Sequence, residues 1–401
     1  MMTSSSTRRW DWRAISLRLW FVLVVGTGVV IPAVAFDNLK IIPTRSDFIT
    51  FYTAGSLARD GRAGEVYNPH AMDMAATAAA GEPVDGLRWL YPPGMLLVIW
   101  PFALLAPLPA YLLWLGLGVI AVAFVAWRIA PHPATPLVVL FCPAVTYCAI
   151  TGQISLFAAA LAGAGFLSLQ RRPLIAGVLL GVLTLKIQLA LLLPFCLVAG
   201  RHYRTLGSMA ATAILLQLMG FVLTGPTSVL AFLGGSPKIL GVVVMRPELL
   251  ARLPTVYSLL VGAGTKPASA MVFQGAASIA AIGIVWFIWR HTEDLAARSL
   301  GWAAGVMLAT PFVYDYDLAI FVTPLAAIAW NGWRHRVGWI DAVVMTLLWL
   351  APFAMRYATG MAGFQVGPLL AALLLAYAVW YGKQGVGSVE PAQPGARNWS
   401  R

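Results

Sequence analysis

Asp47, Lys186 and the pair Asp315 and Asp317 each put a charge into an otherwise apolar stretch of chain. Asp47 lies in "RSDFITFYTAG" (residues 45–55), where Ser46 or Asp47 can cap the helix that follows. The alternative is a general base, because a carboxylate partly withdrawn from water becomes a better proton acceptor, and a cation such as Arg45 moderates that gain. Lys186 sits inside "GVLLGVLTLKIQLALLLP" (177–194), where an ammonium at mid-helix costs ~2.5–3.5 kcal/mol in a membrane. Snorkelling to the interface or an anionic partner such as a lipid phosphate offsets that cost. Gln153 in "TGQ" (151–153) reads either as a turn and cap or as a contact to a substrate hydroxyl. Asp315 and Asp317, alternating with Tyr314 and Tyr316, read as a capped aromatic belt or as site carboxylates. No neighbouring His or third acid supports a metal site there. Arg246 and Arg252 read as a solvated loop face, with Glu248 beside them, or as cations of the same outer surface.

The elements that must position these residues are membrane helices. Of 401 residues, 60% are hydrophobic and 10% are charged, against roughly 25% charged in soluble domains. Apolar runs near or above ~18 residues recur along the chain between short charged or Pro/Gly breaks, the pattern of a polytopic helical membrane protein. The net charge is +12, but the 27 Lys and Arg residues form short clusters at helix ends. That distribution excludes a nucleic-acid-binding face and fits topology determinants in contact with anionic lipid. Cys142, Cys148 and Cys196 lie in apolar runs without a CxxC, so neither a disulfide framework nor a zinc site is expected.

The basic start "TRRWDWRAISLR" places the N-terminus in the cytoplasm, ahead of an apolar run from about residue 15 to 36 that is long for a signal-peptide core. Residues 37–89 carry seven of the fifteen acids and form an outer loop. If 109–129 runs inward to Arg128, then Arg171, Arg172, Arg201 and Arg204 all fall on the cytoplasmic side. A full span over the proline-rich 90–107 would invert Arg128 and the Arg171–Arg172 pair, so that segment is expected to be re-entrant or interfacial. The same alternation gives a second outer loop from Gly225 to about Pro267 and a total of about 12 transmembrane helices, with both termini cytoplasmic. The expected fold is therefore all-α, a polytopic membrane helical bundle. One integral-membrane unit covers 1–382, residues 37–108 form the first outer loop with interfacial helices, and 383–401 form a disordered tail. Asp47, Gln153, Lys186, Arg252, Asp315 and Asp317 all collect on the outer side. No internal repeat, Walker A, GxGxxG, HExxH or GxSxG motif is present, so nucleotide chemistry on the cytoplasmic side is not expected.

Five stretches, in this order and spacing, resemble glycosyltransferase family 87, of the GT-C type: "SDFITFYTAGSLARDGRAGEVYNP" (46–69), "YPPGMLLVIWPFALL" (91–105), "PAVTYCAITGQISL" (143–156), "AGVLLGVLTLKIQLALLLP" (176–194) and "TPFVYDYDLAI" (310–320). The resemblance implies an inverting glycosyltransferase that takes a hexose, mannose by preference, from a polyprenyl-phosphate donor on the extracytoplasmic face of the inner (plasma) membrane. A lipid or glycan hydroxyl is the acceptor, no cofactor or metal is used, and membrane lipids are the surroundings. Asp47 would be the catalytic base. Lys186, Arg45 and Arg252 would bind the donor phosphate. Tyr52, Tyr91, Gln153, Tyr314, Asp315 and Asp317 would contact substrate. Mannosyltransferases of the family carry histidine where this chain has "VYDYD", a departure that bears on the donor sugar and leaves Asp315 or Asp317 to share the base role. The competing readings are a transporter or flippase for lipid-linked sugars, which needs polar residues through the bundle, and a ligase moving a whole glycan.

Overall fold

The computed structural model describes residue 24 and residues 26–28, 46–244, 247–335 and 337–384. Arg45, Arg246, most of the apolar run at 15–36 and the tail from 385 onward lie outside the described residues. All regular elements among the described residues are helical. The first polar region holds α1 (Phe48–Arg59) and α2 (Pro69–Ala80), joined by a 3₁₀ turn at Ala63–Tyr67. Next comes a broken segment in which α3 (Leu96–Ile99) is flanked by 3₁₀ turns at Pro93–Met95 and Trp100–Leu104. Proline near the start of both 3₁₀ turns removes backbone donors and keeps this stretch from becoming one long helix.

The bundle follows as α4 (Pro107–Ile129), α5 (Thr135–Leu140), α6 (Pro143–Thr151), α7 (Ser155–Ser168), α8 (Pro173–Leu183), α9 (Ile187–Ala190) and α10 (Leu193–Ala199). It continues with α11 (Tyr203–Val244), α12 (Pro247–Leu250), α13 (Val256–Gly262), α14 (Pro267–His291) and α15 (Leu295–Ala309). A 3₁₀ stretch at Asp315–Phe321 leads into α16 (Val322–Arg334), α17 (Trp339–Ala362) and α18 (Gly367–Lys383). Proline occupies the first turn of α2, α4, α6, α8, α14 and α18, where its missing N–H has no helical partner to lose.

Three helices among the described residues are long and apolar enough to cross a bilayer alone: Pro107–Ile129, Tyr203–Gly235 and Pro267–His291. Seven further apolar segments have 10–17 residues, so the described helices do not add up to about 12 full-length spans. The apolar stretches 136–151 and 188–200 are each split in two, at Cys142 before Pro143 and at Leu191–Leu192 before Pro194. The region expected to form a second outer loop from Gly225 is partly helical. The chain breaks at Gly225, whose φ of 76° only glycine adopts without strain, and then resumes helix to Val244. Pro226 opens the second helical run, where its missing N–H has no helical partner to lose.

Two cores divide the work. The larger joins α4 through α18 around Trp289, Trp302 and Trp349, and all three cysteines are buried. The smaller lies under α1 and α2, where the rings of Trp89, Phe51, Tyr91 and Trp114 meet edge-on or tilted at centroid distances of 5.0–5.9 Å. Such packing contributes beyond area burial alone, and it makes the 46–104 region a folded cap instead of a solvated loop. The outward faces of the long helices expose Ile120, Val222, Leu223, Val272 and Ile279, as expected of side chains that meet lipid.

At the turn between α14 and α15, Asp294 caps α15 by accepting from the N–H of Ala297 at 2.8 Å. Its second oxygen is buried without a hydrogen-bond partner, and burial pushes the carboxyl up to about 6. A folded-state value above the unfolded one means the native protein binds this proton more readily, so its stabilising effect is fully present at low pH and lost as pH rises through about 6. Acidification from pH 7 to pH 5 should therefore add about 1 kcal/mol from this group. Thermal melts across that window should show the rise in wild type and a flatter profile in Asp294→Asn, which keeps the cap.

Candidate active site

Three chain breaks converge to build the site: the start of α1, the α6–α7 turn, and the unwound stretch between α8 and α9 facing the 3₁₀ turn at 315–321. Asp47 occupies the N-cap position of α1, yet its side chain makes no capping bond. The Ser46 hydroxyl accepts from the N–H of Phe48 instead, at 3.3 Å. The Asp47 carboxylate is left to accept from Gln153 Nε2 at 2.8 Å. Gln153 is 9% exposed, and its Oε1 is buried with no hydrogen-bond partner. One amide thus holds one oxygen of Asp47 while its own buried oxygen keeps an unused acceptor.

The approach depends on Gly152. It ends α6 with φ 68°, and a Cβ there would lie 2.5 Å from Phe48 Cβ and 3.0 Å from the Phe48 backbone nitrogen. Both the left-handed conformation and the contact with α1 exclude a side chain. Gly152→Ala should push the α1 start away from Gln153. A purified variant that folds but loses most of its turnover would match this geometry, and unchanged turnover would contradict it.

Lys186 follows the end of α8, where the helix has unwound, and is 2% exposed. Its ammonium pairs with the fully buried Asp317 and donates to Ser155 Oγ at 3.0 Å. Ser155 Oγ in turn donates to Asp317 at 2.7 Å, and the other Asp317 oxygen accepts from the Tyr314 N–H at 3.2 Å. Every strong group in this cluster has a partner, which is what a buried ion pair requires. Lys186 also lies 5.0 Å from the centre of the Tyr316 ring, within cation–π range. Removing one member leaves an unpaired buried charge, typically at a cost of about 3–5 kcal/mol, whereas replacing both by apolar groups is far milder. Lys186→Met should therefore collapse the yield of folded protein, and Lys186→Met combined with Asp317→Leu should restore much of the melting temperature lost in the single variant.

Asp315 forms a second cluster one turn away. It accepts from the Tyr147 hydroxyl at 2.5 Å and from Arg252 Nε at 3.4 Å, and its own N–H donates to the Arg252 carbonyl at 2.9 Å. Burial raises the Asp315 carboxyl above its ordinary range, with Arg252 and Tyr147 opposing the rise. The Arg252 guanidinium lies over the stacked rings of Tyr314 and Tyr316, 5.9 and 5.8 Å from their centres.

Between these clusters lies a cavity of about 270 Å³ whose wall includes Asp47, Tyr91, Gln153, Arg252, Tyr314 and Tyr316. It brings together the expected base, one expected phosphate-binding cation and three expected substrate contacts, with Tyr316 beside them. Tyr52 is directed elsewhere, its hydroxyl donating to the Leu105 carbonyl at 2.9 Å within the smaller core. Lys186, Asp315 and Asp317 stand behind the wall as its supports. A second cavity of about 390 Å³, almost wholly apolar, lies between α4, α7 and α8 and includes Leu185 and Lys186 in its wall. Sequence reasoning did not single out Tyr147, Ser155 or Arg88. The first two lie in the quoted "PAVTYCAITGQISL", Ser155 two residues after Gln153, but nothing in the sequence ties them to residues 160 positions away. No cluster of three or more His, Cys, Asp or Glu residues able to hold a metal occurs among the described residues.

An apolar helical bundle with a polar, carboxylate-bearing cavity and exposed apolar helix faces marks a membrane protein. A sequence profile of glycosyltransferase family 87 matches residues 89–311, and the chain belongs to that family. It is thus a glycosyltransferase by family. Comparisons with curated proteins and with solved structures returned no match.

Proposed function

We propose that the protein transfers a hexose, with mannose the first candidate, from a polyprenyl-phosphate donor to a lipid or glycan hydroxyl on the extracytoplasmic face of the plasma membrane, with inversion. The observation that carries this reading is a pair of cavities, one polar and one apolar, that share Leu185 in their walls. A lipid-linked sugar needs both: room for its sugar and phosphate beside a carboxylate and cations, and an apolar path for the isoprenoid.

In this mechanism Asp47 accepts the proton of the acceptor hydroxyl as that oxygen bonds to the anomeric carbon. The bond from that carbon to the phosphate oxygen breaks, and its electron pair stays on the departing polyprenyl phosphate. Gln153 fixes one Asp47 oxygen so that the other faces the incoming hydroxyl. A base so placed contributes on the order of 10²–10⁴-fold. Charge accumulates on the phosphate, where Arg252, itself largely withdrawn from solvent, meets it. Lys186 acts at one remove, by holding Asp317 and the Tyr314–Tyr316 wall in place. Tyr91, Tyr314 and Tyr316 offer ring faces and edges to the sugar.

Radiolabelled polyprenyl-phosphate mannose, offered with membrane lipid extract to purified wild type and Asp47→Asn, tests the reading. Transfer by wild type, reduced at least 10²-fold in folded Asp47→Asn, is expected. Equal transfer by both would remove Asp47 from the base role, and transport of intact donor without transfer by wild type would favour the flippase reading.

A further inference from the structure

Arg88 reaches the polar cavity from an element that carries no regular structure. Residues 82–90 run between α2 and the 3₁₀ turn at Pro93–Met95, with Gly81 and Gly86 in the left-handed region at φ 71° and 78°. The segment is tied to α2 by a few polar contacts. Asp73 accepts from the N–H groups of Gly86 and Leu87 at 3.2 and 2.9 Å, and the Thr77 hydroxyl exchanges bonds with Val84. Trp89, buried beneath Phe51 and Tyr91, anchors the segment's end and so fixes the root of the Arg88 side chain at the cavity wall.

The guanidinium has donor capacity to spare. Nη1 donates to the adjacent Leu87 carbonyl at 2.5 Å, and Nη1 lies 3.9 Å from Asp73 Oδ2, beyond hydrogen-bond reach. The Asp73 oxygens are already engaged by backbone N–H groups. The other cations near the cavity are more closely held: Lys186 by Asp317 and Ser155, Arg252 by Asp315. Among the described residues lining the cavity, Arg88 is the cation least committed to a protein carboxylate.

We propose that Arg88 is a phosphate-binding residue of the donor site, gripping two phosphoryl oxygens with its planar fork while Arg252 meets the phosphate from the opposite wall. This inference rests on the polyprenyl-phosphate reading above. A donor phosphodiester carries one negative charge and the departing monoester carries close to two, so a cation with unfilled donors grips the product more tightly than the substrate. The fork matches a phosphate in a way an ammonium does not. Moving the guanidinium from the Leu87 carbonyl to the ligand leaves the Asp73 contacts to the loop backbone intact, so the loop need not unfold for Arg88 to engage.

The test uses full-length protein in detergent and two probes differing only in the headgroup, undecaprenyl phosphate and undecaprenol, with binding read from intrinsic tryptophan fluorescence. Wild type should prefer the phosphate. Arg88→Gln should lose at least tenfold in phosphate affinity with undecaprenol affinity unchanged, and Arg88→Lys should keep only part of the preference. Arg88→Gln binding the phosphate as wild type does would overturn the assignment of Arg88 and leave the donor reading standing. Wild type with no preference for phosphate over alcohol would overturn both.

Discussion

A lysine and an aspartate buried together hold the site in shape. Lys186 comes from the point where α8 unwinds and Asp317 from the 3₁₀ turn ahead of α16, 131 positions apart in the chain. Neither charge is tolerable in an apolar bundle without the other. The need to pair them brings the two chain breaks into contact, and Ser155 at the start of α7 closes the triangle. From that junction the remaining geometry follows. Asp317 binds the backbone of Tyr314, Tyr314 stacks on Tyr316, and Arg252 sits over both rings while bonded to Asp315. The cavity wall is thus built from the protein's own compensated charges.

This arrangement divides the polar residues by role. Asp47, Gln153 and Arg252 face the cavity, where a substrate can reach them. Lys186, Asp317 and Ser155 face one another. A lone lysine in an apolar run invites a ligand-binding role when read alone, because the sequence shows the charge and not its distant partner. The same limit applies to Tyr147, whose bond to Asp315 spans 168 positions.

Other parts of the molecule were legible for clear physical reasons. The hydropathy of 107–129 and 267–291 marks helices whose starts are set by Pro107 and Pro267. The clustered prolines of 92–109 flank and interrupt a short helical run, Pro93–Leu104, that alternates 3₁₀ and α turns. Gly225 was ambiguous because a glycine with positive φ both ends helices and joins two of them, and only packing decides between the outcomes. Asp47 was ambiguous for a similar reason. Ser46 and Asp47 are both good caps by type, and which one caps depends on whether Gln153 arrives to take the other.

The central claim is that a sugar leaves a polyprenyl monophosphate and is received with inverted configuration beside Asp47. The most direct measurement is product analysis: purified protein is supplied in parallel with lipid-linked and nucleotide-linked sugar, the spent carrier is identified by mass spectrometry, and the new glycosidic bond is assigned by NMR. Consumption of the lipid-linked sugar alone, release of polyprenyl monophosphate and an inverted anomeric centre are predicted. Release of a nucleoside phosphate, or a retained configuration, would contradict the account.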